Sequence, residues 1–229
     1  LTAAVRPTLA VAPAFNITAS SYGSGKSYLA ATIAPFAGPG LPLNASFPAT
    51  SEEATKVALA LFMQSPAVIN FDDMQEDWKP HGAFNRMLTS PTISDRVLGS
   101  SRAVSVSTRA LVMGTGNNIE PVRDMCRRVI SITLAPRAES PATLSYTARP
   151  VDLVRENREA YVVAALTIVG AWKAAGSPRA QVCDIATYGS QWADYCRHPL
   201  IWLGTADPAT SLLDQIKSDP DREALGHLM

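Results

Sequence analysis

Eight consecutive residues, Ser20-Ser21-Tyr22-Gly23-Ser24-Gly25-Lys26-Ser27, combine what is needed to hold a chain of phosphates. Gly23 and Gly25 let backbone N–H groups turn inward and approach an anion closely. Lys26 offers a point charge to β- and γ-phosphates, and the Ser27 hydroxyl is a ligand for Mg²⁺. A helix beginning there adds its positive dipole end. The pattern G-x-x-x-x-G-K-[ST] asks for glycine at position 20, where this chain has Ser20; serine makes the turn provided its φ stays negative. The expected binding set is Ser20, Ser21, Tyr22, Gly23, Ser24, Gly25, Lys26, Ser27 and Tyr28, with Lys26 also catalytic.

Three further groups follow in order. The apolar run Ala67-Val68-Ile69-Asn70-Phe71 ends on Asp72-Asp73, about forty-five residues after Lys26. In that place Asp72 serves the metal opposite Ser27, usually through water, and Asp73 polarises or positions an attacking water. Thr115-Gly116-Asn117-Asn118 ends another apolar run. An amide there can bond a γ-phosphate or the lytic water, although Asn is also an ordinary turn residue because it tolerates left-handed backbone. Arg127-Arg128 stands just before a last strand-like run. An arginine so placed can reach a neighbouring subunit's site and stabilise transition-state charge; the plain alternative is a pair of surface arginines.

Positioning these groups needs strands alternating with helices. Residues 2–11 read as a helix broken near Pro7, 15–19 as the first strand and 27–36 as a helix ended by Gly38-Pro39-Gly40. A short strand is expected within 41–47. A helix capped by Ser51 should run to about Gln64, with acids suiting its dipole. Then come a strand over 67–71, a helix over 81–89, an exposed strand over 104–107 and buried strands over 109–114 and 129–134. The alternation argues for a largely parallel sheet in an α/β domain. Residues 136–150, rich in Pro, Ser and Thr, read as a connecting arm. Helical character follows over 151–175, 185–195 and 209–217. The expected division is a core over 1–135, the arm over 136–150 and an all-helical module over 151–229.

The formal net charge of the 229 residues is zero and 47% are hydrophobic, an ordinary globular composition with no global basic signature for nucleic acid. Arginines are concentrated locally, at 96, 102, 109, 123, 127 and 128, and Arg96 and Arg102 are candidates to touch DNA. Cys126, Cys183 and Cys196 form no C-x-x-C pair, and His81, His198 and His227 have no ligand spacing, so a zinc site is not expected. Three cysteines fit a reducing cytosol better than a disulfide framework. No apolar run has the length of a membrane span, no signal-peptide cleavage pattern is found, and a cytoplasmic location is expected. The chain begins at Leu1 inside a helix-like run, which suggests a piece of a longer protein.

Taken in order, Ser20 to Ser27, Asp72-Asp73, Gly116-Asn117-Asn118-Ile119-Glu120-Pro121 and Asp124-Met125-Cys126-Arg127-Arg128-Val129 resemble AAA+ ATPases of the superfamily III helicase type. More closely, they resemble the ATPase module of phage, prophage and plasmid primase-helicases. Arg96-Val97-Leu98-Gly99-Ser100, Glu156-Asn157-Arg158 and Trp202-Leu203-Gly204 with Asp207-Pro208 extend the resemblance over most of the chain. It implies a P-loop NTPase (AAA+-like) parallel sheet flanked by helices, with an all-helical carboxyl-terminal module. ATP and Mg²⁺ would be bound through Gly23, Gly25, Lys26, Ser27 and Asp72. Asn118 would be the sensor, because Asn118-Ile119-Glu120-Pro121 matches an N-x-x-P pattern, with Asn117 as runner-up. Arg127 or Arg128 would be the finger, and Arg158 a second sensor. The resemblance further implies a homo-oligomeric ring moving on DNA, with a primase or DNA-binding part amino-terminal to this chain. Asp73 stands where most AAA+ motors use Glu, which leaves slow or switch-like hydrolysis open. Two alternatives remain: an ATP-gated assembly or scaffold protein with poor turnover, and a P-loop phosphotransferase.

Overall fold

The computed structural model describes residues 1–96, 103–136 and 147–218. Among these, seven strands are formed: β1 (Ala14–Ala19), β2 (Leu43–Ala45), β3 (Val68–Met74), β4 (Thr92–Arg96), β5 (Ala103–Ser107), β6 (Leu111–Asn117) and β7 (Val129–Leu134). Five of them make one parallel sheet in the order β2-β3-β6-β1-β7, and β4 pairs antiparallel with β5 as a separate hairpin. The helices are α1 (Thr2–Val5), α2 (Lys26–Ala37), α3 (Ser51–Met63), α4 (Gly82–Thr89), α5 (Pro150–Glu156), α6 (Arg158–Ala174), α7 (His198–Trp202) and α8 (Thr210–Lys217).

The central strands are near-continuous apolar runs because both faces of the sheet are covered. Alternation divides their side chains. On β3, Val68 joins Ile17, Ala30, Ala34, Leu111 and Met113 in one buried cluster beneath α2. Ile69 and Phe71 join Ala58, Phe62, Trp78, Phe84 and Val112 in another, beneath α3 and α4. A third cluster joins Val5 and Leu9 to Ile130 of β7 and to Tyr188, Trp192 and Leu212. The carboxyl-terminal helices therefore pack on the β7 edge and on the chain's first turns. Ser131 and Ser211 bond across the same contact, the Ser131 amide donating at 3.1 Å.

Several boundaries differ from the sequence expectation, each for a physical reason. The cap of α3 is Thr50 rather than Ser51, its hydroxyl accepting from the Glu53 amide at 3.2 Å. Strand β3 continues through Asp72 and Asp73 to Met74, with a bulge between Phe71 and Met74. Strand β6 continues through Thr115 and Gly116 to Asn117, because two glycines there let neighbouring strand and ring atoms come close. Residues 92–96, not read as a strand, pair with β5. The helix expected over 151–175 is interrupted at Asn157, whose ψ of 29° departs from the helix. Residues 185–195 hold turns first and become helical at 191, continuing into a π-helical turn, Ala193–Arg197. Arg102, His227, the residues that follow Arg96 in the 96–100 motif, and most of the 136–150 arm lie outside the described residues.

Candidate functional site

The carboxyl ends of β3, β6 and β1 lie side by side, so residues distant in sequence meet at one rim of the sheet. From β1 the chain passes through residues 20–25 into α2 at Lys26, with Gly25 as the helix N-cap at φ 87°. Gly23 is also left-handed, at φ 67°. A side chain at Gly25 would meet no atom within 4 Å, so the need for glycine there is backbone conformation and not room. Ser20 does not take positive φ, which meets the condition for serine in that place. Residues 22–28 line a cavity of about 360 Å³ together with Asp73, Thr115, Gly116 and Asn117. Ser20 and Ser21 do not line it.

Short side-chain bonds cross the floor of this cavity. The Lys26 ammonium donates to Asn117 Oδ1 at 2.6 Å and to Ser24 Oγ at 3.2 Å. The Ser27 hydroxyl donates to Asp72 Oδ1 at 2.9 Å, and the Thr115 hydroxyl donates to the same oxygen at 2.6 Å. Thr115 Oγ1 in turn accepts from the Asp73 amide at 3.2 Å. Asp73 is left-handed, at φ 51°, a conformation uncommon for a residue with a side chain. The bulge in β3 thus turns Asp72 toward Ser27 and leaves Asp73 in the cavity wall. Partial burial lowers the Lys26 ammonium from its usual pKa, and the Asp73 carboxylate opposes that effect.

The structure separates the candidates that the sequence leaves paired. Asn117 reaches Lys26, whereas Asn118 is exposed, does not line the cavity, and uses a φ of 51° to turn the chain while its amide bonds the Ala19 carbonyl at 3.1 Å. The order expected from N-x-x-P is therefore reversed in the geometry. Arg128 has a side chain only 9% exposed and bonded to Asp124 at 2.9 Å, so it is turned into the fold. The Arg127 side chain is 55% exposed and also pairs with Asp124, so it is the member of the pair that is open to solvent. Arg158 donates to the Pro35 carbonyl at 2.6 Å. That is nine residues along α2 from Lys26, roughly 13 Å from the loop, so Arg158 does not meet the site. Thr115 has no role in the sequence reading. Its place in the β3–β6 register, between the Phe71–Gly114 and Met74–Gly116 pairs, is what brings its hydroxyl to Asp72.

The loop that follows β6 is anchored from below. Buried Asn16 on β1 donates to the Ile119 carbonyl at 2.9 Å and accepts from the Trp78 indole at 3.1 Å. The Trp78 and Val122 amides add backbone bonds across the same loop. The segment that follows Asn117 is therefore fixed against β1 and Trp78.

No family model matches the chain, and no curated protein matches its sequence. The chemistry rests on the residues themselves. A lysine and a hydroxyl on the first turn of a helix, beside that helix's amino-terminal amides, can hold an oxyanion. Ser27 and Asp72 are hard oxygen donors facing each other, and no cluster of three or more His, Cys, Asp or Glu able to hold a metal forms among the described residues. Few protein ligands, all oxygen, with positions left to water and phosphate, fit Mg²⁺. Among the described residues no helix is long and apolar enough to cross a membrane.

Proposed function

We propose that this chain is a Mg²⁺-dependent ATPase of AAA+ type, the motor of a mobile-element DNA replication protein working as a ring helicase or translocase. The observation that carries the reading is the pairing of Lys26 with Asn117 and of Ser27 with Asp72 at the start of α2, beside a cavity that Lys26, Ser27 and Asn117 line. On this reading Lys26 and Asn117 take the γ-phosphate, and Ser27 and Asp72 take its metal. Mg²⁺, when bound through Ser27 and Asp72, supplies Lewis-acid polarisation of phosphate oxygens. Lys26 neutralises the terminal phosphates, Asn117 orients the phosphate or the attacking water, and Asp73 accepts that water's proton or positions it. The order of the motifs, which resembles primase-helicases, extends the reading to DNA and to a ring in which Arg127 completes a neighbour's site.

Lys26→Ala should lower Mg²⁺-dependent ATP turnover by about 100-fold or more. Phosphate release by the purified variant at the level of the unaltered chain would sink the reading. A second reading, an ATP-gated assembly protein, is favoured by one feature: Asp73 is a short side chain held in left-handed backbone, a weak arrangement for positioning water. Tight ATP binding and ATP-dependent oligomers with negligible turnover, on DNA or off it, would select it.

A further inference from the structure

Helix α6 is apolar on more sides than it buries. Its buried side is the row Ala165, Val169 and Trp172. Between Glu159 and Lys173 the sequence places no charged residue on any side. Val163 is 54% exposed and Leu166 44% exposed, and Glu159, Gly170 and Lys173 are exposed with them. Positions 159, 163, 166, 170 and 173 step by four, three, four and three, so they share one stripe along the helix. Single apolar residues scattered on a surface need no explanation, whereas a stripe at this spacing is the seam that a second helix covers.

Gly170 is the telling member. In a helix interior glycine is less stable than alanine. Nothing among the described residues requires it: its φ is not positive, and a Cβ there would meet no atom within 4 Å. What the bare backbone does provide is room for an outside group to come close.

The ends of the stripe carry opposite charges. Glu159 and Lys173 each stand seven positions from Leu166, one on either side. At the amino end an open cavity of about 460 Å³ is lined by Glu156, Asn157, Glu159, Ala160 and Val163. Two carboxylates beside alanine and valine suit a lysine, whose stem packs on apolar surface while its ammonium meets acid. Lys173 has protons to give, since it donates one to Tyr195 Oη at 3.2 Å and an ammonium carries three.

We propose that this face is covered by α6 of a second copy of the chain, laid antiparallel across a two-fold axis at Leu166. The antiparallel direction sets Glu159 of each copy against Lys173 of the other, whereas a parallel pair would set like charges together. Val163 of each copy lies over Gly170 of the other, where the missing side chain admits it, and the two Leu166 side chains meet on the axis. The contact joins like surfaces, unlike the head-to-tail contacts that close a ring. It therefore needs neither nucleotide nor Arg127, and it stands or falls apart from the ATPase reading.

The test is sedimentation equilibrium of the chain without nucleotide. A 17-residue helix is about 25 Å long, and one such pair is smaller than a standard interface. The pair should therefore form at about 10–100 μM chain and dissociate on dilution. Leu166→Glu should abolish it, with unchanged melting showing that the variant is folded. Gly170→Ala should weaken pairing about tenfold while raising the melting temperature of the dilute chain, opposite signs that simple destabilisation does not give. Glu159→Lys alone and Lys173→Glu alone should each weaken pairing, more at low salt than at high. Combined in one chain, or mixed as two chains, the two reversals should restore it, because each charge again faces its opposite. A chain that stays monomeric through that range overturns the proposal, as does a dimer that Leu166→Glu leaves intact. Loss in both reversals without recovery on mixing overturns the antiparallel arrangement, and a dimer indifferent to Gly170→Ala overturns the close approach at Gly170.

Discussion

Asn117 and Asn118 are neighbours with opposite tasks, and the difference is one of backbone. Asn117 ends a regular strand, so its side chain is directed by the sheet toward Lys26; Asn118 spends its conformation on the turn that follows. The chemical consequence is testable. Asn117→Ala should lower ATP turnover by about 100-fold, the usual cost of removing one oriented donor at a developing charge. Asn118→Ala should leave turnover nearly unchanged. Steady-state phosphate release, read as kcat and KM for both variants, decides; a larger loss from Asn118 would reverse the assignment. The residue types needed at the site are legible in the sequence, since Gly23, Gly25, Lys26 and Ser27 are nearly contiguous. Which of two asparagines or two arginines faces the site is not, because a shift of one position along a strand or turn reverses the direction of a side chain.

At the scale of elements, the close approach of β6 to the bulged end of β3 positions the site. A Cβ added at Gly116 would stand 2.5 Å from the Met74 carbonyl oxygen and 2.8 Å from Ile119 Cδ1. One added at Gly114 would meet the Trp78 ring at 2.5 Å. Backbone and a buried indole cannot yield cheaply, so Gly116→Ala should destabilise the fold by about 2 kcal/mol and displace Asn117 from Lys26. Urea unfolding measures the first effect and ATP turnover the second; a variant with the original midpoint and rate would contradict this account. The same glycines explain why the sequence reading ends the strand at 114. Gly-rich termini look like turns, and nothing local reveals that a neighbouring backbone needs the space. By contrast, the helix expected over 81–89 agrees nearly to the residue, because its buried face of Ala83, Phe84, Met87 and Leu88 follows the helical period.

At the scale of the whole molecule, the carboxyl-terminal helices are fastened by buried polar groups. Arg197 is 1% exposed and makes two bonds to Asp207, at 2.9 and 2.7 Å. Burial pushes the Asp207 carboxyl up, but bonds from Arg197 and from the Ala209 amide outweigh it and hold the carboxyl below its usual range. His198, beside it, accepts from the Ala180 amide at 3.3 Å through Nδ1, which favours the neutral ring. Burial lowers its pKa below 6.5; Arg179 and Arg197 act in the same sense, while Asp194 and Asp184 oppose them. The unfolded chain therefore takes up a proton near pH 6.5 that the folded chain resists. Stability from this group is present above pH 6.5 and is lost as pH falls through the folded value. His198→Gln should reduce the loss of stability between pH 7.5 and 5.5, compared by urea unfolding; an identical pH dependence in both chains would refute it. The proposed ring gives a further prediction. Lys26→Ala subunits mixed with Arg127→Ala subunits should recover part of the activity, because one kind of interface keeps an intact site. Mixed oligomers without any recovery would remove Arg127 from that role.

The glycine-rich turn and the alternation of strands with helices followed from residue order, since each element is encoded within a dozen neighbouring positions, and that alternation in turn implied a parallel sheet. The meeting of Lys26 with Asn117, 91 positions away, and of Thr115 with Asp72, 43 away, did not. Those contacts depend on which strands are adjacent and on their register. Register is settled by the summed packing of two buried faces and by a bulge that places Asp72 and Asp73 in different surroundings, and no short stretch of sequence carries that sum.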